Sequence, residues 1–167
     1  MLPDWKGSGN EHWQTHWERD YGFVRVEQHD WMQPLRGDWI ARLEDVVLEQ
    51  PSPCVLVAQG LGCLLVASWA AYSRNTDRVM AAMLVAPVDP ENRILKSAIR
   101  GWSGLALQKL QFKGLVIGTH NDAMCSLNTA QRLASEWGTR FMDSDIGLAD
   151  WPQGYQLLMQ LLQQKEK

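Results

Sequence analysis

Residues 58–63, which read A-Q-G-L-G-C, form a glycine-flanked turn between a continuous apolar run and a segment of small residues. A buried strand, a tight turn and a helix in this order make a nucleophile elbow, with a serine at the centre of G-x-S-x-G. That hydroxyl attacks a carbonyl carbon once a base has taken its proton. Gly60 stands at the centre here, so the strained backbone is easily adopted while the attacking hydroxyl is absent.

Few other side chains could complete such chemistry. A Ser-His-acid mechanism needs a hydroxyl, a base within hydrogen-bond reach and a group that orients the base. The histidines of the chain are His12, His16, His29 and His120. His120 follows a predicted strand and is close in sequence to Asp122, on the rim where α/β sheets bind ligands. We interpret His120 as a polar rim residue, and Cys63, one helical turn beyond the elbow, as a buried structural thiol.

The order of apolar patterns predicts the elements that position these residues. Continuous apolar runs are typical of strands buried on both faces of a parallel sheet, and alternating residues are typical of half-buried strands. Strands are predicted at residues 23–28, 54–58, 80–86, 115–119 and 140–142, and helices at residues 8–20, 38–49, 64–73, 126–137 and 154–164. Alternating strands and helices predict a three-layer α/β/α fold with a mostly parallel sheet, in a single domain spanning residues 1–167.

Composition excludes several classes of function. A formal charge of -3 without a basic cluster argues against binding to nucleic acid. No apolar run approaches the roughly 18 residues of a membrane helix, and no signal peptide is visible. The three cysteines lie far apart and lack metal-ligand spacing, which favours free thiols in a reducing cytoplasm. We therefore expect a cytoplasmic protein without membrane contact, metal or cofactor.

Five segments in the same order resemble the small serine hydrolases typified by retinoblastoma-binding protein nine. They are L-P-D-W with G-S-G-N-E-H-W-Q within residues 2–14, V-E-Q-H-D-W at 26–31, the elbow, L-V-A-P-V-D at 84–89 and N-D-A-M-C-S at 121–126. Members of that family typically read P-G-W-x-x-S-G-x-x-H-W at the start and H-S-L-G-C at the elbow. The resemblance implies a compact α/β-hydrolase fold without a large cap.

The resemblance also assigns roles to individual positions. It places the catalytic acid at Asp122, which is present, and the nucleophile at Gly60, where the serine is lost. The histidine that precedes the nucleophile in the family is replaced by Gln59. The family's catalytic histidine lies in a loop before W-P-x-G, but here residues 143–150 lead directly to W-P-Q-G at 151–154 and contain no histidine.

The oxyanion donors of the family are backbone N–H groups, and these tolerate changes of side chain. One maps to Leu61, directly after the nucleophile position, and the other maps to Asp4 or Trp5 in the first loop. The predicted ligand-binding positions are Trp5, Gln59, Leu61 and His120.

The family also begins with an inner strand, and we expect this sequence to lack it because it starts at Met1-Leu2-Pro3. Losing an inner strand leaves unpaired backbone groups on both neighbours. We expect either that the neighbouring segments close the gap or that a protein partner or a second copy adds a strand.

Three hypotheses for function follow. The first is a degenerate α/β-hydrolase, a pseudoenzyme that binds a small acyl or ester ligand or a protein partner. The second is an active hydrolase, similar to a carboxylesterase, that uses water positioned by Asp122, His120 and the backbone donors. The third is a structural subunit whose pocket under Gly60 is filled by tryptophan.

Overall fold

A computed structural model describes residues 1–104, 108–120, 122–147 and 150–163. Its sheet contains four parallel strands in the order β1-β2-β3-β4. The strands are β1 (Cys54–Gly60), β2 (Val79–Pro87), β3 (Lys113–Gly118) and β4 (Arg140–Asp143). The helices are α1 (Trp13–Tyr21), α2 (Arg36–Glu49), α3 (Leu61–Tyr72), α4 (Arg93–Ala98), α5 (Leu127–Glu136) and α6 (Pro152–Gln163), with a short 3-10 turn at Thr76–Arg78. The predicted parallel α/β architecture is confirmed.

Both faces of the sheet are covered, which explains why the central residues of β1 to β3 are apolar. Successive side chains of a strand point to opposite faces. Ala82 and Leu84 of β2 therefore pack with α2, α3 and α5, whereas Met83 lies in a second core with α1 and α6. The second core holds three buried tryptophans, Trp13, Trp17 and Trp151. The result is the predicted three-layer arrangement.

The edge beside β1 differs from the sequence-based expectation. Residues 23–28 alternate like a strand, but the structure has no regular strand there. Leu2 lies next to β1 instead, in a single parallel bridge to Ala58, and its N–H donates to the carbonyl of Val57 at 2.8 Å. On the other side, the N–H of Val26 donates to the carbonyl of Met1 at 2.9 Å. The inner strand is thus reduced to a one-residue bridge, too short to support a ladder with residues 23–28.

Helix boundaries also differ from the predicted ones, for local reasons. Helix α3 begins at Leu61, three residues before the predicted start, because the chain enters the helix directly from the elbow. Helix α1 begins later than predicted, at Trp13, because the His12 imidazole accepts a hydrogen bond from the Gln14 N–H and caps it. Among the described residues, no helix combines the length and apolar character needed to cross a membrane.

Candidate functional site

The turn between β1 and α3 has the geometry of a nucleophile elbow. Gly60 ends β1 and stands directly before α3, with φ of 55° and ψ of -120°. This backbone conformation is strained for residues that carry a Cβ, and glycine adopts it at low cost. The elbow backbone is therefore present, and the position that the resemblance assigns to the nucleophile carries no side chain.

The carboxyl group of Asp4 lies directly over this glycine. Its Oδ1 atom accepts hydrogen bonds from the N–H of Leu61 at 2.6 Å and from the N–H of Trp5 at 2.7 Å. These are two of the backbone donors that the resemblance assigns to the oxyanion hole. A Cβ atom built on Gly60 would stand 2.0 Å from Asp4 Cγ and 2.1 Å from its Oδ1. Asp4 thus occupies the space that a side chain at position 60 would need.

The N-terminal segment is held against the elbow by close backbone packing. A Cβ atom on Gly62 would lie 2.4 Å from the carbonyl oxygen of Leu2, so glycine at position 62 is what permits the approach. The N–H of Gly7 donates to the carbonyl of Asp4 at 2.9 Å, which closes a tight turn through Lys6 at φ of 76°. The register of Leu2 with β1 and this turn together aim Asp4 at the start of α3.

A cleft of about 270 Å³ opens beside Asp4 at the carboxyl ends of the strands. Its polar lining residues are Asp4, Gln59, Thr119 and Asp122, and its apolar ones are Ala86, Val88, Ala123, Met124 and Ile146. Asp122 is half-buried, and its Oδ1 accepts a hydrogen bond from the Met124 N–H at 2.7 Å. Two carboxyl groups therefore border one small space whose lining is partly polar and partly apolar.

Both carboxyl groups have altered proton affinity. Burial raises the pKa of Asp4, the hydrogen bonds from Leu61 and Trp5 oppose that effect, and the charge of Asp122 adds to it. Burial also raises the pKa of Asp122, against the hydrogen bonds from the backbone of Met124 and Cys125. Raised carboxyl pKa values are common at functional sites, because a cleft both desolvates the groups and brings like charges together.

The described residues that line the cleft do not include a histidine. His120, on the rim after β3, is exposed, and its Nε2 atom lies 3.1 Å from Asp143 Oδ2. The loop that the resemblance links to the catalytic histidine reaches residues 148–149, which lie outside the described residues, as does Asn121 of the N-D-A-M-C-S segment.

The other predicted positions are placed as follows. Gln59 lines the cleft, but its Oε1 accepts a hydrogen bond from the Trp13 indole at 2.8 Å, which directs this oxygen toward α1. Trp5 and Leu61 contribute their backbone N–H groups at the elbow and are not among the residues that line the cleft. Cys63 is fully buried, and its thiol donates to the carbonyl of Val85 at 3.4 Å. Burial raises the pKa of Cys63 well above its ordinary value, so this thiol is not activated as a nucleophile.

Metal binding has no evident site within the described parts of the chain. Among the described residues, no group of three or more His, Cys, Asp and Glu side chains is arranged to hold a metal ion.

The sequence predicts Gly60 and Asp122 as site positions and points to Asp4 only as a backbone donor. The signal for its side chain was present in the first loop, where P-D-W stands in place of the family's P-G-W. An acidic residue at a glycine position of a close turn must find space and hydrogen-bond donors for its carboxylate. The missing side chain at Gly60 supplies that space.

The parallel sheet, the elbow after β1 and the cleft at the strand ends define an α/β-hydrolase fold. A protein of Pectobacterium atrosepticum that is described as a YdeN-like hydrolase has a similar structure, with a TM-score of 0.83. The two sequences are 24% identical, and the match covers 96% of this chain and 88% of that one. The product of the ydeN gene of Bacillus subtilis is similar with a TM-score of 0.78 and 14% identity, over 98% of this chain and 97% of that one. At these identities the likeness shows the fold.

The family is shown by the sequence itself. The model of the serine hydrolase family matches residues 1–160, and the chain therefore belongs to that family. Comparison with curated proteins gives no match.

Proposed function

We propose that this protein is a non-catalytic member of the serine hydrolase family that uses the cleft beside Asp4 to bind a small ligand. The observation that carries the proposal is the Asp4 carboxyl group, which fills the place of a side chain at Gly60 and accepts both backbone donors. At position 60 there is no side chain to carry the hydroxyl of the family mechanism, and the Asp4 carboxyl group occupies the space that such a side chain would need.

The negative charge that develops during ester hydrolysis also argues against catalysis at this elbow. Ester hydrolysis through a serine passes through a tetrahedral intermediate whose negative oxygen needs free N–H donors. At this elbow the N–H groups of Leu61 and Trp5 already bond to a carboxylate oxygen. A developing negative charge would meet the Asp4 carboxyl group rather than hydrogen-bond donors, and Asp122 borders the same space.

Hydrolysis by a water molecule activated through Asp122 and His120 is less well supported. A general base must lie within hydrogen-bond reach of the water from which it takes a proton. The imidazole of His120 contacts Asp143 on the exposed rim, outside the described lining of the cleft. Asp122 alone would have to activate the water beside a second carboxyl group, while Asp4 already occupies the elbow N–H donors that would stabilise the oxyanion of the tetrahedral intermediate.

The lining of the cleft suggests the kind of ligand. Val88, Met124 and Ile146 supply apolar contacts, and Gln59 and Thr119 supply polar ones. A short aliphatic chain fits such a lining, as an acyl or ester compound would present. The cleft volume of about 270 Å³ is slightly below the range of about 300 to 1,000 Å³ usual for small-molecule pockets, which favours a short ligand.

Binding to a protein partner is a second candidate, favoured by the cleft next to the one-residue bridge. This cleft of about 220 Å³ is lined by Met1, by the segment from Gly22 to Val26 and by the first residues of β1. An extended peptide could continue the line of Leu2 there by β-augmentation. Light scattering across a concentration series tests the version in which a second copy supplies the strand, because a stable dimer would double the molar mass.

The main proposal is tested by activity measurements on the unmodified chain. A fluorophosphonate probe and a panel of short p-nitrophenyl esters are expected to give no labelling and no turnover above buffer. The variant Gly60→Ser and the double variant Asp4→Ala with Gly60→Ser are expected to stay inactive, because neither restores a base. An esterase with an intact triad serves as the positive control. Ester turnover by the unmodified chain that Asp122→Asn abolishes would refute the proposal.

A further inference from the structure

The start of α3 and the first loop together hold a carboxylate. We infer that the N–H groups of Leu61 and Trp5 form a carboxylate-binding site whose built-in ligand is Asp4, and that Asp4 closes this site to external carboxylates. The inference concerns the same cleft as the proposed function and rests on it. It adds the chemistry that the site recognises and the residue that blocks it.

The arrangement of the two N–H groups explains why this site binds an anion. One oxygen of Asp4, Oδ1, accepts both hydrogen bonds, at 2.6 Å from the Leu61 nitrogen and 2.7 Å from the Trp5 nitrogen. Such short contacts are typical of charge-assisted hydrogen bonds. Leu61 is the first residue of a 12-residue helix, so the partial positive charge of the helix N-terminus adds to the attraction. The site therefore already binds a carboxylate, which the chain itself supplies.

The arrangement is closed because one space cannot hold two carboxylates. The Asp4 carboxyl group lies over Gly60, where the absence of a Cβ atom leaves the room that it fills. Asp4 also forms part of the wall of the adjoining cleft. Replacing it with alanine would remove the carboxyl group, free both N–H donors and join the vacated space to the cleft.

The surroundings narrow the external ligand to a short aliphatic monocarboxylate. Its carboxylate would take the position of the Asp4 carboxyl group, and its chain would extend along Val88, Met124 and Ile146. Asp122 borders the same cleft, so its negative charge disfavours ligands with two charges, such as phosphate or succinate.

The test compares the unmodified chain with Asp4→Ala and with the matched variant Asp4→Asn. The asparagine variant keeps the volume of the side chain and an oxygen that can accept both hydrogen bonds, so its site stays filled. Acetate and butyrate are titrated at constant ionic strength while the amide signals of Leu61 and Trp5 are followed by NMR. Succinate and inorganic phosphate are titrated in parallel.

The expected result is a saturable shift of both amide signals in Asp4→Ala, with butyrate bound about tenfold more tightly than by the other two proteins. Succinate and phosphate are expected to bind Asp4→Ala more weakly than butyrate does. A folded Asp4→Ala protein whose two amide signals respond to butyrate no more than those of the unmodified chain would overturn the inference.

A second measurement decides the matter if Asp4→Ala does not fold. In the unmodified chain, the amide signals of Leu61 and Trp5 are expected to titrate together as Asp4 takes up a proton, and to stay flat in Asp4→Asn. Absence of that shared titration would overturn the inference. Neither readout depends on ester turnover by the unmodified chain, so failure of the inference and failure of the proposed function are separate outcomes.

Discussion

Restoring the serine at position 60 is expected to destabilise the protein, because of where Asp4 lies. In Gly60→Ser the new Cβ atom would stand 2.0 Å from Asp4 Cγ, so the carboxyl group must leave and give up its bonds to Leu61 and Trp5. Losing two charge-assisted hydrogen bonds that water partly replaces costs about 3 kcal/mol. A non-glycine residue at a φ of 55° adds about 1.5 kcal/mol of backbone strain. The expected loss in the free energy of unfolding is therefore about 4.5 kcal/mol.

The same reasoning predicts that substitutions at positions 4 and 60 are not additive. Asp4→Ala alone loses the two hydrogen bonds, about 3 kcal/mol, and the double variant loses them only once while keeping the strain. The double variant should thus resemble Gly60→Ser, at about 4.5 kcal/mol, rather than the sum of about 7.5 kcal/mol. The coupling free energy between the two positions is expected to be about 3 kcal/mol.

A double-mutant cycle measured by urea unfolding provides the assay, and the nine tryptophans of the chain supply a fluorescence signal. Gly22→Ser is the matched control, because Gly22 has a φ of 72° and no atom within 4 Å of a built Cβ. It isolates backbone strain and should cost only about 1.5 kcal/mol. Additivity of Asp4→Ala and Gly60→Ser within about 0.5 kcal/mol would refute the placement of Asp4 over the elbow.

Two further predictions concern groups away from the cleft. Both carboxylate oxygens of Glu44 accept hydrogen bonds, Oε2 from Trp69 and Ser73 and Oε1 from Asn75, and Glu44→Ala should lower the free energy of unfolding by about 2 to 3 kcal/mol. Glu44→Gln should cost only about 1 kcal/mol, because its one amide oxygen can replace Oε2 but not Oε1. Equal losses for both variants in urea unfolding would contradict this role. Burial lowers the pKa of a free Met1 amine from 8.0 to about 6, because its charged form is desolvated. The unfolded chain binds the extra proton between those values, so stability should be highest above pH 8 and fall by roughly 3 kcal/mol toward pH 6. An Nα-acetylated sample should lack this decrease, and an identical pH profile for both samples would contradict it.

The fold was predictable because its main signals are local. The runs that become β1, β2 and β3 are continuously apolar, and only a sheet covered on both faces buries such strands completely. Residues 23–28 were predicted as a strand from their alternation, but a strand also requires a neighbour that is long enough to pair with it. In the structure, the N–H of Val26 donates to the carbonyl of Met1 without forming a regular ladder, and no local pattern in residues 23–28 reveals this.

The sequence predicts parts of the candidate site from two different signals. The turn at Gly60 follows from a strand, two glycines and a helix, whereas the resemblance to the family places the acid at Asp122, after β3. The role of Asp4 depends on a contact with Leu61 across the sheet edge, and neither residue signals the other in sequence. The sequence shows the aspartate in place of the family's glycine in the first loop and the absent side chain at Gly60 as two separate features. Only the three-dimensional structure shows that the Asp4 carboxyl group fills the space left at Gly60.

The close approach of Asp4 to Gly60 also bears on how such a chain could evolve. With aspartate at position 4, a mutation that returns serine to position 60 meets a steric clash before it can offer any catalytic benefit. Removal of Asp4 alone sacrifices two hydrogen bonds and gains no nucleophile. A sequence change that introduces serine at position 60 and removes Asp4 must therefore pass through a less stable intermediate, whichever substitution comes first. The contact between Asp4 and Gly60 therefore imposes a stability cost on a hydroxyl at position 60 that is independent of any catalytic activity.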